Sequence, residues 1–246
     1  MNADLRFAHE LADLADAITL ARFKAADLHV ETKPDLTPVS EADRAAEEAI
    51  RAHVASSRRG ERVLGEEAGD DGGDAKWIVD PIDGTTNYVR GVPVWATLLA
   101  LERDGAVVLW LVSAPALGRR WWAVRGEGAF ADGVRCRVSA VSRIDECSAS
   151  TTSARSMPEG WRTIVQRAWS NRGLGDFWQH CLVAEGALDV ATDGANMQVW
   201  DYAAVRILVE EAGGRCSTFA GREPHPDSSV VSTNGLLHDE VVALLG

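Results

Sequence analysis

The residues best suited to chemistry are acids. Glu66 and Glu67 follow Gly65, and Asp80-Pro81-Ile82-Asp83-Gly84-Thr85-Thr86-Asn87 comes soon after. Asp80 closes the apolar run Trp77-Ile78-Val79. A carboxylate at the end of a buried strand is costly unless it is paired or bound to a metal. Pro81 and Gly84 dictate a tight turn, so Asp80 and Asp83 face one point from a strand end and its loop. Glu66 follows a second strand-like run, Val63-Leu64, and converges with them if the two strands are neighbours. Three such anions repel one another unless a divalent cation sits between them, and hard oxygen donors select Mg2+, Mn2+ or Ca2+ over zinc. A fourth acid, Asp201 in Trp200-Asp201-Tyr202, opens a predicted helix. Taken alone, Asp201 also reads as a helix N-cap, and the Asp80–Thr85 stretch as an ordinary turn.

Elements able to position these groups can be read on either side. Leu5, Ala8, Leu11, Leu14, Ala15 and Ile18 recur at helical spacing and predict a helix over residues 4–26. The two prolines of Lys33-Pro34-Asp35-Leu36-Thr37-Pro38 exclude helix there. Ser40 then caps a second helix running to about residue 55, with Asp43 in capping-box position. From Arg62 onward, short apolar runs alternate with Gly and Asp turns, as in a sheet of several strands. Asp104-Gly105 marks an antiparallel hairpin, and a last strand of this half ends near Val138. Beyond about Ser142, strands and helices alternate: a strand at 148–153, helices at 159–170 and 177–186, a strand at 188–190, a helix at 201–212 stopped by Gly213-Gly214, two short strands, and a helix at 236–245. Two layered halves, residues 1–140 and 141–246, account for this order.

Composition narrows the classes. At 246 residues, 46 % apolar and 25 % charged, the chain is an ordinary globular one. Its 37 acidic against 25 basic residues give a net charge of −12, which opposes nucleic-acid binding. No run reaches the length of a membrane span, and residues 1–4 lack a basic, apolar leader, so a soluble cytoplasmic protein is expected. Cys136, Cys147, Cys181 and Cys216 form no C-x-x-C pair and read as buried thiols. The six histidines form no zinc motif. Trp95, Trp110, Trp121 and Trp122 read as core and subunit-interface mass.

The combination Gly65-Glu66-Glu67, Asp80-Pro-Ile-Asp-Gly-Thr-x-Asn87, Trp200-Asp201, and a helix ending in Glu211-Ala-Gly-Gly214 resembles the inositol monophosphatase family of Mg2+-dependent phosphomonoesterases. The likeness extends over nearly the whole chain, including Lys33 to Asp43. The segments 87–96, 113–117, 120–123 and 232–239 are most similar to bacterial histidinol-phosphate phosphatases of this type. The resemblance implies an α/β (α+β) fold, a layered αβαβα sandwich with two mixed or antiparallel sheets, and a homodimer.

It also implies a site. Glu66, Asp80 and the carbonyl of Ile82 would hold one Mg2+. Asp80, Asp83 and Asp201 would hold a second, and Asp43 with Glu66 a weaker third through water, Mn2+ being a possible substitute. Two metals can clamp the attacking and leaving oxygens of a phosphoryl displacement, with a metal-activated water as nucleophile. Thr85 would orient that water and pass a proton toward Asp43. The opening N–H groups of Gly84, Thr85 and Thr86 would receive phosphate oxygens. Lys33 would lie on a loop near the third metal and affect activity, and Glu67 would be either an acceptor behind the metal ligands or a solvated partner of Glu66. Lys33 also reads as a solvated charge, and Thr85 as a helix cap.

For the substrate, the family pattern points to Asn87, Arg90, Gly175, Asp176, Asp193 and Asp201. Inositol-specific members carry a threonine after the glycine that corresponds to Gly175, whereas this chain has the acid Asp176, suited to an amine or imidazole. The family's acid seven positions before the Trp-Asp aspartate falls on Gly194 here, with Asp193 one residue earlier. The activity expected is hydrolysis of L-histidinol phosphate. Alternatives are inositol 1-phosphate, fructose 1,6-bisphosphate, a 3′-phosphorylated nucleotide such as 3′-phosphoadenosine phosphate, or a silent metal-binding protein.

Overall fold

The structure, a computed structural model, describes residues 2–34, 36–70 and 75–246. Asp35 of the Lys33–Asp43 stretch lies outside the described residues. The chain divides into two compact units, Met1–Val124 and Arg125–Gly246.

The first unit opens with α1 (Ala3–Arg22), whose first turn is capped by the Asn2 side chain accepting from Leu5 N at 2.7 Å. The predicted helix extends to residue 26, but the observed one stops at Arg22. Phe23 leaves the helix to pack its ring against Tyr88 and Trp95, and Lys24 turns left-handed. A small antiparallel hairpin, β1 (Val30–Thr32) and β2 (Pro38–Ser40), holds the proline-bearing stretch. Next comes α2 (Glu41–Ser57), opened by the expected Ser40/Asp43 capping box.

The strands β3 (Glu61–Gly65), β4 (Gly69–Asp70), β5 (Ala75–Asp83), β6 (Ala96–Arg103), β7 (Ala106–Ala114) and β8 (Arg119–Val124) follow. A short helix, α3 (Thr85–Arg90), lies between β5 and β6. Their order is β8-β7-β6-β5-β3-β4, antiparallel except for β3 beside β5. Helices α1 and α2 bury Leu5, Leu11, Ile50 and Val54 against Trp77, Val79, Leu99 and Leu111 of this sheet. Trp77, Trp95, Trp110 and Trp121 are fully buried and Trp122 partly so.

The second unit contains the hairpin β9 (Gly128–Ala131) and β10 (Val134–Arg135), then β11 (Ser148–Thr151), α4 (Glu159–Arg167), β12 (Ser170–Arg172) and α5 (Asp176–Ala184). After these come β13 (Val190–Met197), α6 (Val199–Glu211), β14 (Arg215–Ser217), β15 (Ser228–Thr233) and α7 (His238–Leu245). Strands run in the order β12-β11-β13-β15-β14. The β12, β11 and β13 strands are mutually parallel, while β15 is antiparallel to both of its neighbours. Each unit is therefore helices flanking a mixed sheet, the α/β class expected.

Several further boundaries differ from the sequence reading, and three of them have a visible cause. The strand expected to reach Val138 ends at Arg135, because Val138 N is claimed by Ala212 O. The helix expected to reach residue 170 stops at Arg167, and Ser170–Arg172 pairs with β11 instead. The strand expected at 188–190 begins at Val190, since Leu188 N closes the end of α5 on Leu182 O.

Gly65 is fixed by its neighbour. A Cβ at this position would lie 2.3 Å from Glu47 Oε1 and 2.6 Å from Oε2. Glu47 is buried and cannot swing away: Arg51 Nε donates to Oε1 at 2.9 Å, Ala68 N donates to Oε1 at 3.0 Å, and Glu67 N donates to Oε2 at 2.7 Å. Gly65→Ala is expected to cost about 1–3 kcal/mol in urea unfolding, as overpacking does. An unchanged midpoint would show that Glu47 yields freely.

His238 makes a second measurable case. Its Nε2 lies 3.0 Å from Ser217 Oγ, whose own proton goes to Thr218 O, so Nε2 carries the donor hydrogen. Its Nδ1 lies 3.0 Å from Thr233 Oγ1 and accepts. Burial, helped by Arg215, lowers the His238 pKa from 6.5 to about 4. The fold therefore favours the neutral ring. That stabilisation is complete above pH 6.5 and lost as pH falls toward about 4, up to about 3 kcal/mol. Equilibrium unfolding between pH 7 and 4 should show the decline, reduced in His238→Gln.

Candidate active site

In the first unit, β3 and β5 run side by side, with Gly65 opposite Val79 and Glu66 N donating to Val79 O at 3.1 Å. This pairing sets Glu66 next to Asp80, the adjacency on which the sequence argument depended. Asp80 ends the buried part of β5 at 2 % exposure. The pairing of β5 with β6 shifts register between Asp80 and Asp83, at Pro81-Ile82, and Thr97 Oγ1 fastens the irregularity by donating to Pro81 O at 2.8 Å. Gly84, at φ 82°, starts α3 in a left-handed conformation that a side chain would resist. Thr85 and Thr86 thus open the helix, with Gly84 just before them.

Thr85 Oγ1 lies 3.1 Å from Asp43 Oδ1 and 2.8 Å from Ile82 O. A hydroxyl has one proton, so Thr85 donates to one of these acceptors at a time. The other Asp43 oxygen accepts from Ser40 N at 2.9 Å and Ser40 Oγ at 2.6 Å. Lys33 Nζ, near the tip of the β1–β2 hairpin, donates to Glu66 Oε1 and Glu67 Oε1, each at 2.6 Å.

The electrostatics follow from crowding. Burial raises the Asp43 pKa above the usual carboxylate range against the pull of its hydrogen bonds, and the Glu66 charge adds to the rise. Burial also raises Glu67, opposed by Lys33 and reinforced by Glu66 and Asp43. Burial works against the Lys33 ammonium, but its two carboxylate partners outweigh it and hold the pKa above the ordinary lysine value. The region thus concentrates negative charge beyond what a single lysine balances. Asp80, Asp83 and Asp201 make up an acidic triad of hard oxygen donors, the set that suits Mg2+.

Asn87 Nδ2 donates to Val94 O at 2.9 Å and helps fold the loop after α3, while Arg90 is exposed at the end of that helix.

In the second unit, α6 begins two residues before Asp201. Asp201 is therefore not the N-cap but the third helical residue, its Oδ2 accepting from Gln198 N at 2.7 Å. Gly175 and Asp176 both have positive φ at the start of α5. Asp193 is buried on β13: its Oδ1 accepts from Thr152 Oγ1, and its Oδ2 accepts from His180 Nε2 at 2.6 Å and Gln179 Nε2 at 3.1 Å. Burial and the charge of Asp193 push the Asp176 carboxyl up to about 7, so the two acids influence each other directly. A Cβ on Gly194 would fall 2.3 Å from Ser156 Oγ and 3.0 Å from its carbonyl oxygen, so this position leaves little room for a side chain. The β13–β15 register then shifts between Asp193 and Met197.

Sequence reasoning missed Glu47, His180, Gln179 and Thr152. For Glu47 the signal was present: it lies on the α2 stripe with Asp43, Ala46, Ile50 and Val54, where a carboxylate must have partners.

Comparison with known proteins agrees with this architecture. Residues 2–245 match the inositol monophosphatase family. The chain belongs to that family. It is 49 % identical to the histidinol-phosphatase of Streptomyces coelicolor, over 98 % of this chain and 96 % of that one. It is also 49 % identical to the histidinol-phosphatase of Mycobacterium tuberculosis, over 98 % and 97 %. Among solved structures, the Thermotoga maritima IMPase superposes with a TM-score of 0.92 at 33 % identity, covering 99 % of this chain and 97 % of that one. No helix of the described residues is long and apolar enough to cross a membrane.

Thr85→Val keeps the size of the side chain and removes its proton. It is expected to lower kcat for phosphomonoester hydrolysis by about 10²–10⁴ while leaving the thermal midpoint unchanged. Turnover within twofold of the parent would remove Thr85 from the chemistry.

Proposed function

We infer that this chain is a Mg2+-dependent phosphomonoesterase that hydrolyses L-histidinol phosphate to L-histidinol and phosphate. The observation that carries this reading is the 49 % identity, over nearly the full length, to two histidinol-phosphatases. The complete acidic set supports it, because a chain that has lost catalysis has no reason to retain Glu66, Asp80, Asp83 and Asp201 beside Thr85 and Asp43.

In this proposal Glu66, Asp80, Asp83, Asp201 and the Ile82 carbonyl hold Mg2+, with Asp43 contributing through water. When bound, Mg2+ supplies charge neutralisation at the phosphate and a lowered pKa for water. The chain's own groups do the rest. The opening N–H groups of α3, from Gly84, Thr85 and Thr86, receive phosphate oxygens. Water attacks phosphorus as the ester P–O bond breaks, and the departing alkoxide oxygen takes a proton from solvent. Thr85 Oγ1 takes the water's proton while its own passes to Asp43 Oδ1, the acceptor 3.1 Å away. Lys33 keeps Glu66 and Glu67 from repelling one another.

Recognition of the leaving alcohol falls to Asp176 and Asp193, with Gly175, Asn87 and Arg90 beside the substrate. Histidinol phosphate carries an ammonium and an imidazole, and a pair of mutually sensed carboxylates is a fitting receptor for that charge. Family resemblance extends the proposal to a homodimer working in the cytoplasm.

The test compares kcat/KM for L-histidinol phosphate and inositol 1-phosphate at matched Mg2+. At least a tenfold preference for histidinol phosphate is expected. A tenfold preference for inositol 1-phosphate would overturn the substrate assignment and leave the phosphatase class in place.

A further inference from the structure

Thr152, at the end of β11, has a fully used hydroxyl. It accepts from Asp176 N at 2.9 Å and from Gln179 Nε2 at 3.1 Å, and donates its one proton to Asp193 Oδ1. One donation and two acceptances exhaust a hydroxyl. A single oxygen atom therefore ties the backbone of Asp176 to the carboxylate of Asp193.

The surroundings make that tie matter. Asp176 adopts φ 50° directly after Gly175 at φ 71°, and a non-glycine residue stays in this region only where its neighbours hold it. Outside α5, its N–H donates to Thr152 Oγ1. Asp193 is gripped from the other side by His180, whose Nδ1 is in turn 2.8 Å from Ser232 Oγ on β15. His180, Gln179 and Ser232 are all buried. Asp193 is thus anchored to the interior, and Thr152 is the link that carries the anchoring outward to Asp176. Thr152 itself is exposed, so replacing it does not open the core.

We propose that Thr152 is a positioning residue for substrate specificity: its hydroxyl sets Asp176 and Asp193 as one receptor for the cationic end of an amine-bearing phosphomonoester. The inference rests on the substrate reading above. Thr152 touches neither the phosphate nor the reacting oxygen in this role; it acts through the two acids.

The experiment measures kcat and KM for the parent, Thr152→Val and Thr152→Ser at saturating Mg2+. The substrates are L-histidinol phosphate and glycerol 2-phosphate, which lacks a cation. Valine keeps the shape and loses all three hydrogen bonds; serine keeps the hydroxyl. Thr152→Val is expected to raise KM for histidinol phosphate about tenfold with kcat within about twofold. Both constants for glycerol 2-phosphate should stay within about twofold, and Thr152→Ser should match the parent on both substrates. An unchanged KM for histidinol phosphate in Thr152→Val overturns the inference and leaves the substrate reading standing. So does an equal loss on both substrates, which would mark a merely structural residue. A parent that shows no preference for histidinol phosphate over glycerol 2-phosphate overturns the substrate reading and this inference with it.

Discussion

Like-charge repulsion in a partly desolvated space is the constraint that organises the first unit. Burial raises the proton affinity of Asp43 and Glu67, the charge of Glu66 adds to both, and Asp80 is buried at a strand end beside them. Such a cluster is affordable only with compensating cations and donors, and the fold supplies both. Ser40 holds one side of Asp43, and Lys33 spans the two glutamates. The elements are where they are because these groups must meet. The parallel pairing of β3 with β5 aligns Glu66 with Asp80, and the capping box of α2 delivers Asp43 to Thr85.

The second unit solves a different problem with the same means. Its buried acid Asp193 is held by the Thr152 hydroxyl, the Gln179 amide and the His180 ring. Hydroxyl and amide donors fix a carboxylate in position without cancelling its charge. Gly194 packs directly against Ser156, and the β13–β15 register shifts between Asp193 and Met197.

Much of this was legible in the sequence because the signals were local. The Asp80–Thr85 turn, the Ser40/Asp43 cap and the Asp104-Gly105 hairpin each depend on residues within a few positions of one another. The β3–β5 adjacency, the condition for Glu66 to meet Asp80, holds in the structure. What was not legible was set by distant partners. Ser170 reads as the end of a helix in isolation and instead opens a strand, because β11 offers an edge. Phe23 left α1 for rings contributed by residues 88 and 95. His180 and Ser232 are apart in sequence, and only the pairing of β13 with β15 brings them to Asp193. Asp201 looked like a cap because helix entry from Gln198 leaves no strong signal of its own.

Lys33 carries one more implication, for the folding of the chain. Many metalloproteins cannot fold until their ion arrives, since the ligands repel until then. Here an ammonium from the protein's own hairpin already sits across Glu66 and Glu67. The polypeptide brings its own counterion for this pair of glutamates, so docking of the hairpin on the strand that precedes them is favoured by charge that the chain itself supplies.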